Sequence, residues 1–395
     1  MGDYWISDRR PRLSGGPFGL RARALSLLLA GAAATSCSGL GFYGQAVWGG
    51  LKVLTGRRSV TAVLEDDSTP CDLKQRLATA LAIRDFASAR LGLPDNGSYR
   101  KYKRLRRPYA VWNVVAAPEL SVEPVVWCFP IAGCVTYRGY FAERRAERFA
   151  AKLQARGYDV DVAGAAAFST LGWFKDPLLS TFIHYPEPEL AGLILHELAH
   201  QRLYLKDDTP FNESFATVVE REGVGRWLGE RGEEEAIAAY RAAGRRQLEV
   251  AALVSDYREL LAASYAEERP QEWKRRRKQE IFAALRRDYL RLKASWGEDS
   301  GYDAWFAQGL NNARLASIGA YFEWVPAFEA LLDLQGGDLE RFYGEAERIG
   351  RLPPAERKEA LSELVPEGGS APVWLINGRS LTKLQWNTFQ GIIGV

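Results

Sequence analysis

Histidine is scarce in this sequence: the 395-residue chain contains three, and only one Met, at its first position. Cysteine is nearly as scarce, with four residues, and no two of them have the CxxC spacing typical of zinc-binding knuckles. These absences exclude metal centres built from many imidazole or thiolate ligands. A metal or acid–base site in this chain can use at most three His residues, and carboxylates are the other ligands available to it.

The chain also lacks an excess of either charge outside its first segment. Residues 1–36 hold five of the 52 Lys and Arg but only two of the 49 Asp and Glu, and the remainder is neutral overall. This balance does not favour a nucleic-acid partner. We interpret two basic runs, Arg100–Arg107 and Lys274–Lys278, as solvated surface, with an anionic membrane surface as the alternative partner.

The first segment has the layout of an export signal. A basic region ends at Arg23, and the apolar run that follows, residues 24–34, is too short to span a bilayer. "ATSC", which ends at Cys37, resembles a bacterial lipobox. We therefore expect 1–36 to be a lipoprotein signal peptide and Cys37 to be acylated. Ser38 favours an outer-membrane anchor that faces the periplasm. For the apolar run itself, a short membrane anchor or a buried helix is the alternative to a signal peptide.

Export implies an oxidising compartment, in which the other three cysteines are disulfide candidates. Cys128 and Cys134 flank a turn that contains Pro130 and Gly133, between two apparent strands. We expect these two residues to pair. Cys71 then remains, and we interpret it as a buried free thiol.

The rest of the chain, 37–395, is predicted to form one domain in two parts. Runs rich in β-branched and aromatic residues occupy about 108–185, interrupted by one amphipathic helix, and two helices are predicted before them, near 48–55 and 70–91. From about 186 to 365 nearly every segment is typical of helix. The pattern favours an α+β fold in which a small mixed or antiparallel sheet precedes a mainly helical lobe.

The helical part begins with "LILHELAHQR", which contains two of the three histidines. Residues four apart lie on one face of a helix, so His196 and His200 can direct their imidazoles to a common point, with Glu197 beside them. The surrounding residues are apolar on most sides, which predicts a buried helix. Burying two His and a Glu is costly unless a ligand or partner satisfies them, and zinc is the ligand this spacing favours.

A third ligand is expected from the next segment, "DDTPFNESFATVVE". A turn at Asp207–Pro210 followed by a second helix would bring Glu213 back beside the two histidines. His184 is the only other His and precedes the first helix. It is the alternative ligand, although a His in that position is more often structural, and we favour Glu213.

The succession of HELAH and NESFATVVE resembles the zinc-binding core of the gluzincin peptidases, above all the aminopeptidase N family. More widely, "GLPDNGSYRKY" and "NNARLASIGAYFEWVPAF" resemble a bacterial family described as aminopeptidases, often with lipoprotein leaders. The resemblance implies a zinc ion bound by His196, His200 and Glu213, with Glu197 catalytic. Two departures are a shorter interval between His200 and Glu213 and the absence of the GxMxN motif that recognises a free amino terminus.

A peptidase also needs a strand that pairs with the substrate and a donor for the oxyanion. Residues 168–177 precede the HExxH helix and are one candidate for the strand, with an ordinary loop as the alternative. Since no His follows His200, a Tyr is the expected donor, and Tyr321 is our candidate. Most Tyr residues in such helices belong to the core, which is the alternative for Tyr321.

The function that this sequence predicts is hydrolysis of peptides by a zinc-dependent aminopeptidase, held at the periplasmic side of the membrane through Cys37. A zinc endopeptidase that acts on envelope proteins is the close alternative. A non-catalytic envelope lipoprotein with a structural zinc is a third hypothesis. Glu197 disfavours it, because a structural site needs no general base.

The anchor can be tested by Cys37→Ser. We expect this variant to leave the membrane fraction and to lose labelling by a fatty-acid probe, because acylation needs the Cys thiol. Fractionation and probe labelling of both chains measure this. A wild-type chain that is soluble and unlabelled would show the lipoprotein assignment to be wrong.

Overall fold

The computed structural model describes residues 42, 44–46, 48–129, 133–167, 169–170, 175–297, 301–318 and 322–365. The expected signal peptide 1–36, Cys37, Tyr321 and five of the ten residues in 168–177 lie outside the described residues. The chain divides into two compact units, 1–48 and 49–395. In the first unit, all the described residues are helical.

Three small sheets make up the β part of the second unit. The strands are β1 (Arg58–Ser59), β2 (Lys101–Lys103), β3 (Val111–Pro118), β4 (Trp127–Phe129), β5 (Gly133–Val135), β6 (Tyr137–Tyr140), β7 (Tyr158–Ala165) and β8 (Leu178–Leu179). One sheet has the order β1-β2-β8, with β1 antiparallel and β8 parallel to β2. The second, β6-β3-β7, is antiparallel, and β4 and β5 form a separate hairpin.

Helices account for most of the remaining described residues. They are α1 (49–54), α2 (Val60–Leu64), α3 (Cys71–Leu91), α4 (Glu143–Gln154), α5 (Glu187–Arg202), α6 (Thr209–Gly229), α7 (Glu234–Ala266), α8 (Gln271–Ala294), α9 (Asp303–Ala307), α10 (Asn312–Ala316), α11 (Val325–Leu334), α12 (Leu339–Gly350) and α13 (Pro354–Leu364). The predicted α+β class is confirmed, with small sheets and a mostly helical part after them.

The largest apolar core surrounds α5 and α6, which pack side by side while α3 and α11 cover them. Four aromatic rings fill the space beside α6: Phe211 lies edge-on to Phe328 at 5.0 Å, and Phe215 stacks on Phe342 at 5.6 Å. Because both helices carry apolar residues on most sides, neighbouring elements cover them on most sides. Any polar group on their facing surfaces must find a partner inside the core.

A second core lies between the long helices α7 and α8, around Val254 and Phe282. It is tied to the antiparallel sheet by two ion pairs that use alternate residues of β7. Lys278 on α8 lies 2.6 Å from Asp159, and Arg314 on α10 lies 2.7 Å from Asp161. Residues two apart on a strand share a face, so both carboxylates point to the same side of the sheet.

Each basic run departs from the prediction at one buried residue. Tyr102 lies in the middle strand of the first sheet and is 8% exposed. Lys278 is 5% exposed and also donates to the carbonyl of Glu119. The interpretation of both runs as solvated surface is therefore wrong at these two positions. A strand of three residues gives almost no periodic signal, and a carboxylate from a distant strand can stabilise a buried Lys.

Cys128 and Cys134 are joined by a disulfide and face each other across the β4–β5 hairpin. The expected pairing is confirmed. Cys71 is a free thiol, as expected, but it is exposed rather than buried, because it is the first residue of α3 and lies at the end of that helix.

No helix among the described residues combines the length and the apolar content that a bilayer crossing requires.

The cysteine assignment predicts the pattern of alkylation in a Cys37→Ser chain. Cys71 should react without reductant because it is exposed, while Cys128 and Cys134 should react only after reduction. Mass spectrometry of the alkylated peptides measures this, with Cys71→Ser as the control that removes the unreduced signal. Labelling of Cys128 in the unreduced protein would contradict the disulfide.

Candidate metal centre

Helix α5 presents its two histidines on one face. Glu187 and Glu189 lie in its first turn, where the helix dipole favours acidic groups. His196 and His200 follow at a spacing of four residues, and their ring centroids are 4.8 Å apart. His200 is 2% exposed, so this face is turned into the protein.

Helix α6 carries the third group, and its first turn is fixed by side chains. Asp208 caps the helix by accepting a hydrogen bond from the Phe211 amide. The side-chain oxygen of Asn212 accepts from the Leu205 amide, and its nitrogen donates to the Leu205 carbonyl, both at 2.7 Å. These bonds tie the loop 203–208 to α6. The neighbouring Glu213 is consequently held inside the core and is 5% exposed.

Three potential ligand atoms converge between the two helices. His196 Nε2 lies 3.2 Å from Glu213 Oε2 and 3.1 Å from His200 Nε2. His200 Nε2 lies 3.6 Å from Glu213 Oε1. Within the described part of the chain, His196, His200 and Glu213 are the group of His, Cys, Asp and Glu side chains arranged to hold a metal ion.

The donor set fits a metal ion. Ligand atoms bound to zinc at about 2.0 Å in a tetrahedron lie about 3.3 Å from one another, close to the three separations above. The hydrogen bonds of His196 also support a metal ion. Its Nδ1 faces a carboxylate oxygen of Glu220 at 2.9 Å and donates to it, so Nε2 is the nitrogen available to a ligand. Nε2 lies 3.2 Å from a Glu213 oxygen, and two acceptors this close need a cation or a proton between them.

The electrostatics of the centre favour positive charge. Burial lowers the pKa of His196, but hydrogen bonds with Glu213 and Glu220 outweigh it and raise that pKa well above the usual value. Burial raises the pKa of Glu213, but His200 and His196 outweigh it and lower the pKa. The carboxylate is therefore ionised, and a positive charge between these groups, a proton on His196 or a metal ion, is favoured.

A second layer of residues orients His196. Glu220, about two turns beyond Glu213 on α6, accepts from His196 Nδ1, and Tyr240 on α7 donates to the other oxygen of Glu220 at 2.5 Å. Gly192 on α5 makes room for them, because a Cβ there would lie 2.6 Å from the Tyr240 hydroxyl. A carboxylate on the far nitrogen of a ligating imidazole fixes its tautomer and strengthens it as a ligand.

Glu197 adjoins this centre and has no structural partner for one of its oxygens. The residue is 3% exposed, and its Oε2 is buried without a hydrogen bond from any residue that the structure describes. Such an oxygen is costly in a folded protein and indicates a group that is satisfied by something else, such as a water or a substrate. Burial raises the pKa of nearby Asp176 to about 6, against hydrogen bonds with Thr170 that lower it, and the charge of Glu197 adds to the increase.

Two tyrosines that the sequence analysis missed lie near the centre. Tyr137 is on β6, and Tyr204 follows α5, with its ring edge-on to His200 at 6.2 Å. Burial raises the pKa of both, and the charge of Glu213 contributes in both cases. No local sequence signal could have identified Tyr137, because the sheet brings it to the helices from 60 residues away. Tyr321 lies outside the described residues and stays a prediction.

His184, the alternative ligand, is exposed and is not a member of the convergent group. It lines a separate surface cavity with Arg104 and Arg107. The geometry therefore brings Glu213, and not His184, to the two histidines of α5.

Two imidazoles and a carboxylate thus converge beside a Glu of which one oxygen has no hydrogen bond among the described residues, a set of side chains that metal-dependent hydrolases use. The model of a family described as "Putative aminopeptidase" matches residues 41–361, and the chain belongs to that family. The description of the family indicates peptidase activity. No curated protein and no solved structure matches the chain.

The geometry predicts how metal content responds to substitution. The purified protein should bind about one zinc ion per chain, as one three-ligand site requires, and Glu213→Ala should remove most of it because a ligand is lost. His184→Ala is the matched control and should retain full zinc. Elemental analysis after dialysis measures both. Full occupancy in Glu213→Ala together with loss in His184→Ala would show that the ligand set is wrong.

Proposed function

We propose that this protein is a zinc aminopeptidase. The observation that carries the proposal is the convergence of His196, His200 and Glu213 beside the buried, unpartnered oxygen of Glu197. When bound by these three residues, zinc would supply Lewis-acid chemistry, polarising a carbonyl and acidifying a water. The family match supports peptide hydrolysis as the reaction.

Glu197 is the general base in this proposal. Its carboxylate accepts a proton from the attacking water and passes it to the nitrogen of the leaving amine as the peptide bond breaks. The hydroxyl of the water becomes part of the new carboxyl group, and its remaining proton passes through Glu197 to the leaving amine, so no other reactant is needed. The unpartnered Oε2 supports this role, because an oxygen already engaged with the protein would be less able to accept the proton.

Tyr137 is the donor to the oxyanion in this proposal. Burial, and then the charges of Tyr204, Glu213 and Glu197, raise the pKa of its hydroxyl, which supports a position close to the proposed base and one ligand. Burial keeps the phenol protonated and able to donate. Tyr204 is the second candidate, because it is also near Glu213. A zinc endopeptidase would use the same residues, so the products of cleavage decide between the two activities.

The place of action is part of the proposal. A lipid anchor at Cys37 would hold residues 49–395 at the periplasmic side of the membrane, where an oxidising environment maintains a disulfide. The Cys128–Cys134 disulfide supports this placement. A peptide is the expected substrate, and the membrane is reached through the lipid on Cys37.

Substitution of Glu197 by Gln tests the catalytic step. Glu197→Gln keeps the shape of the side chain but cannot accept a proton, so hydrolysis should fall by about a hundredfold or more while zinc content and Tm are retained. Glu189→Gln, on the exposed first turn of the same helix, is the control. Digestion of a peptide library, read by mass spectrometry, measures activity and products. Equal rates in Glu197→Gln and wild type would leave only a structural role for the metal.

Substitution of Tyr137 by Phe tests the donor. Loss of one oxyanion donor lowers kcat by about a hundredfold to a thousandfold, and Tyr137→Phe should show this with little change in KM or zinc content. Steady-state kinetics on one peptide measure it, with Tyr204→Phe for comparison. If Tyr204→Phe loses kcat and Tyr137→Phe does not, the donor is Tyr204.

A further inference from the structure

The loop that joins the two ligand-bearing helices contains an unusual backbone conformation. Asp207 has a φ of +62°, and among the non-glycine residues that the structure describes only Tyr99 shares a positive value. This left-handed region is unfavourable for most side chains, and Asp tolerates it better than most. Residues held in such conformations concentrate at ligand sites, where the surrounding structure maintains them.

The side chain of Asp207 is held from one side by the disulfide hairpin. The backbone amide of Cys134, on β5, donates a hydrogen bond to Asp207 Oδ1 at 3.2 Å. A hairpin with strands of three residues is marginally stable alone, and the Cys128–Cys134 disulfide closes it. The position of this carboxylate is therefore fixed by an element far away in the sequence.

The other oxygen of Asp207 has no bonding partner in the described part of the chain, and the side chain is exposed. Lys206, its neighbour, is also exposed and makes no ion pair with it there. Asp208 provides the contrast. It caps α6 and forms an ion pair with Arg357 at 3.0 Å. Asp208 thus has a structural role, whereas Asp207 presents a fixed carboxylate with one oxygen open to solvent.

This carboxylate lies in the short loop between α5 and α6, the two helices that carry the candidate ligands. Tyr204, in the same loop, has its ring edge-on to His200 at 6.2 Å, so the loop borders the candidate metal centre. The hairpin that holds Asp207 also continues, one residue after β5, into the strand that begins with Tyr137.

We infer that Asp207 binds a cationic group of the peptide substrate next to the scissile bond and so determines which peptides are cleaved. The inference rests on the proposed function. A fixed, exposed carboxylate suits an ammonium group, from which it can accept a charge-assisted hydrogen bond. The α-ammonium of a free amino terminus fits best, because it lies within one residue of the first peptide bond. A basic side chain of the substrate shares this chemistry.

Equilibrium binding to a chain that does not turn over tests the inference directly. In the full-length, zinc-loaded Glu197→Gln chain, calorimetry would measure the Kd of a short peptide with a free amino terminus, its desamino counterpart, and an N-acetylated peptide with an internal Lys. The first peptide should bind more tightly than the desamino peptide. Adding Asp207→Asn should weaken binding of the first peptide about tenfold or more, with no effect on the desamino peptide.

The control and the contrary outcomes separate this inference from the proposed function. Asp333→Asn, on an exposed position of α11, should leave every Kd unchanged. If Asp207→Asn instead weakens only the Lys peptide, the cation is a side chain and Asp207 keeps its role. If Asp207→Asn changes no Kd, or changes that of the desamino peptide equally, the inference is wrong. Failure of wild type to hydrolyse any peptide contradicts the proposed function alone, because binding is measured separately.

Discussion

The packing of α5 against α6 is the constraint on which the rest of the site depends. Two helices that are apolar on most sides enclose two imidazoles and two carboxylates, His196, His200, Glu213 and Glu220. Burial of these groups without partners would be far too costly for a folded protein. Each of these four side chains must therefore contact another of them or a ligand. This requirement fixes the rotation of both helices about their axes. The outer residues, Asn212 and Tyr240 among them, serve to keep that rotation.

Much of the fold and the centre of the site follow from local sequence. The spacing of His196 and His200 predicts their common face, and the turn before Glu213 predicts its return toward them. The strands β3 and β7 and the helix α3 are also foreseen, because each has a long periodic or β-branched run. These features depend on residues that lie close together in the sequence, so a local sequence pattern is enough to predict them.

The parts that could not be predicted depend on contacts between distant segments. The contact between the Cys134 amide and Asp207 forms only because the β-hairpin folds against the loop after α5, and a sequence without an alignment carries no signal for that contact. Lys278 was expected on the surface because its neighbours are basic, yet Asp159 of β7 holds it inside. Cys71 was expected inside because free thiols are often buried, but the start of a helix is exposed.

The division of the ligands between two helices has a consequence for stability. His196 and His200 come from one helix and Glu213 from another, so the three meet only in the folded chain. A metal that binds the native state and not the unfolded one adds to the free energy of unfolding in proportion to the logarithm of its free concentration. The ion would thus stabilise the contact between α5 and α6. The Tm of the protein would then rise with the concentration of free metal in its surroundings.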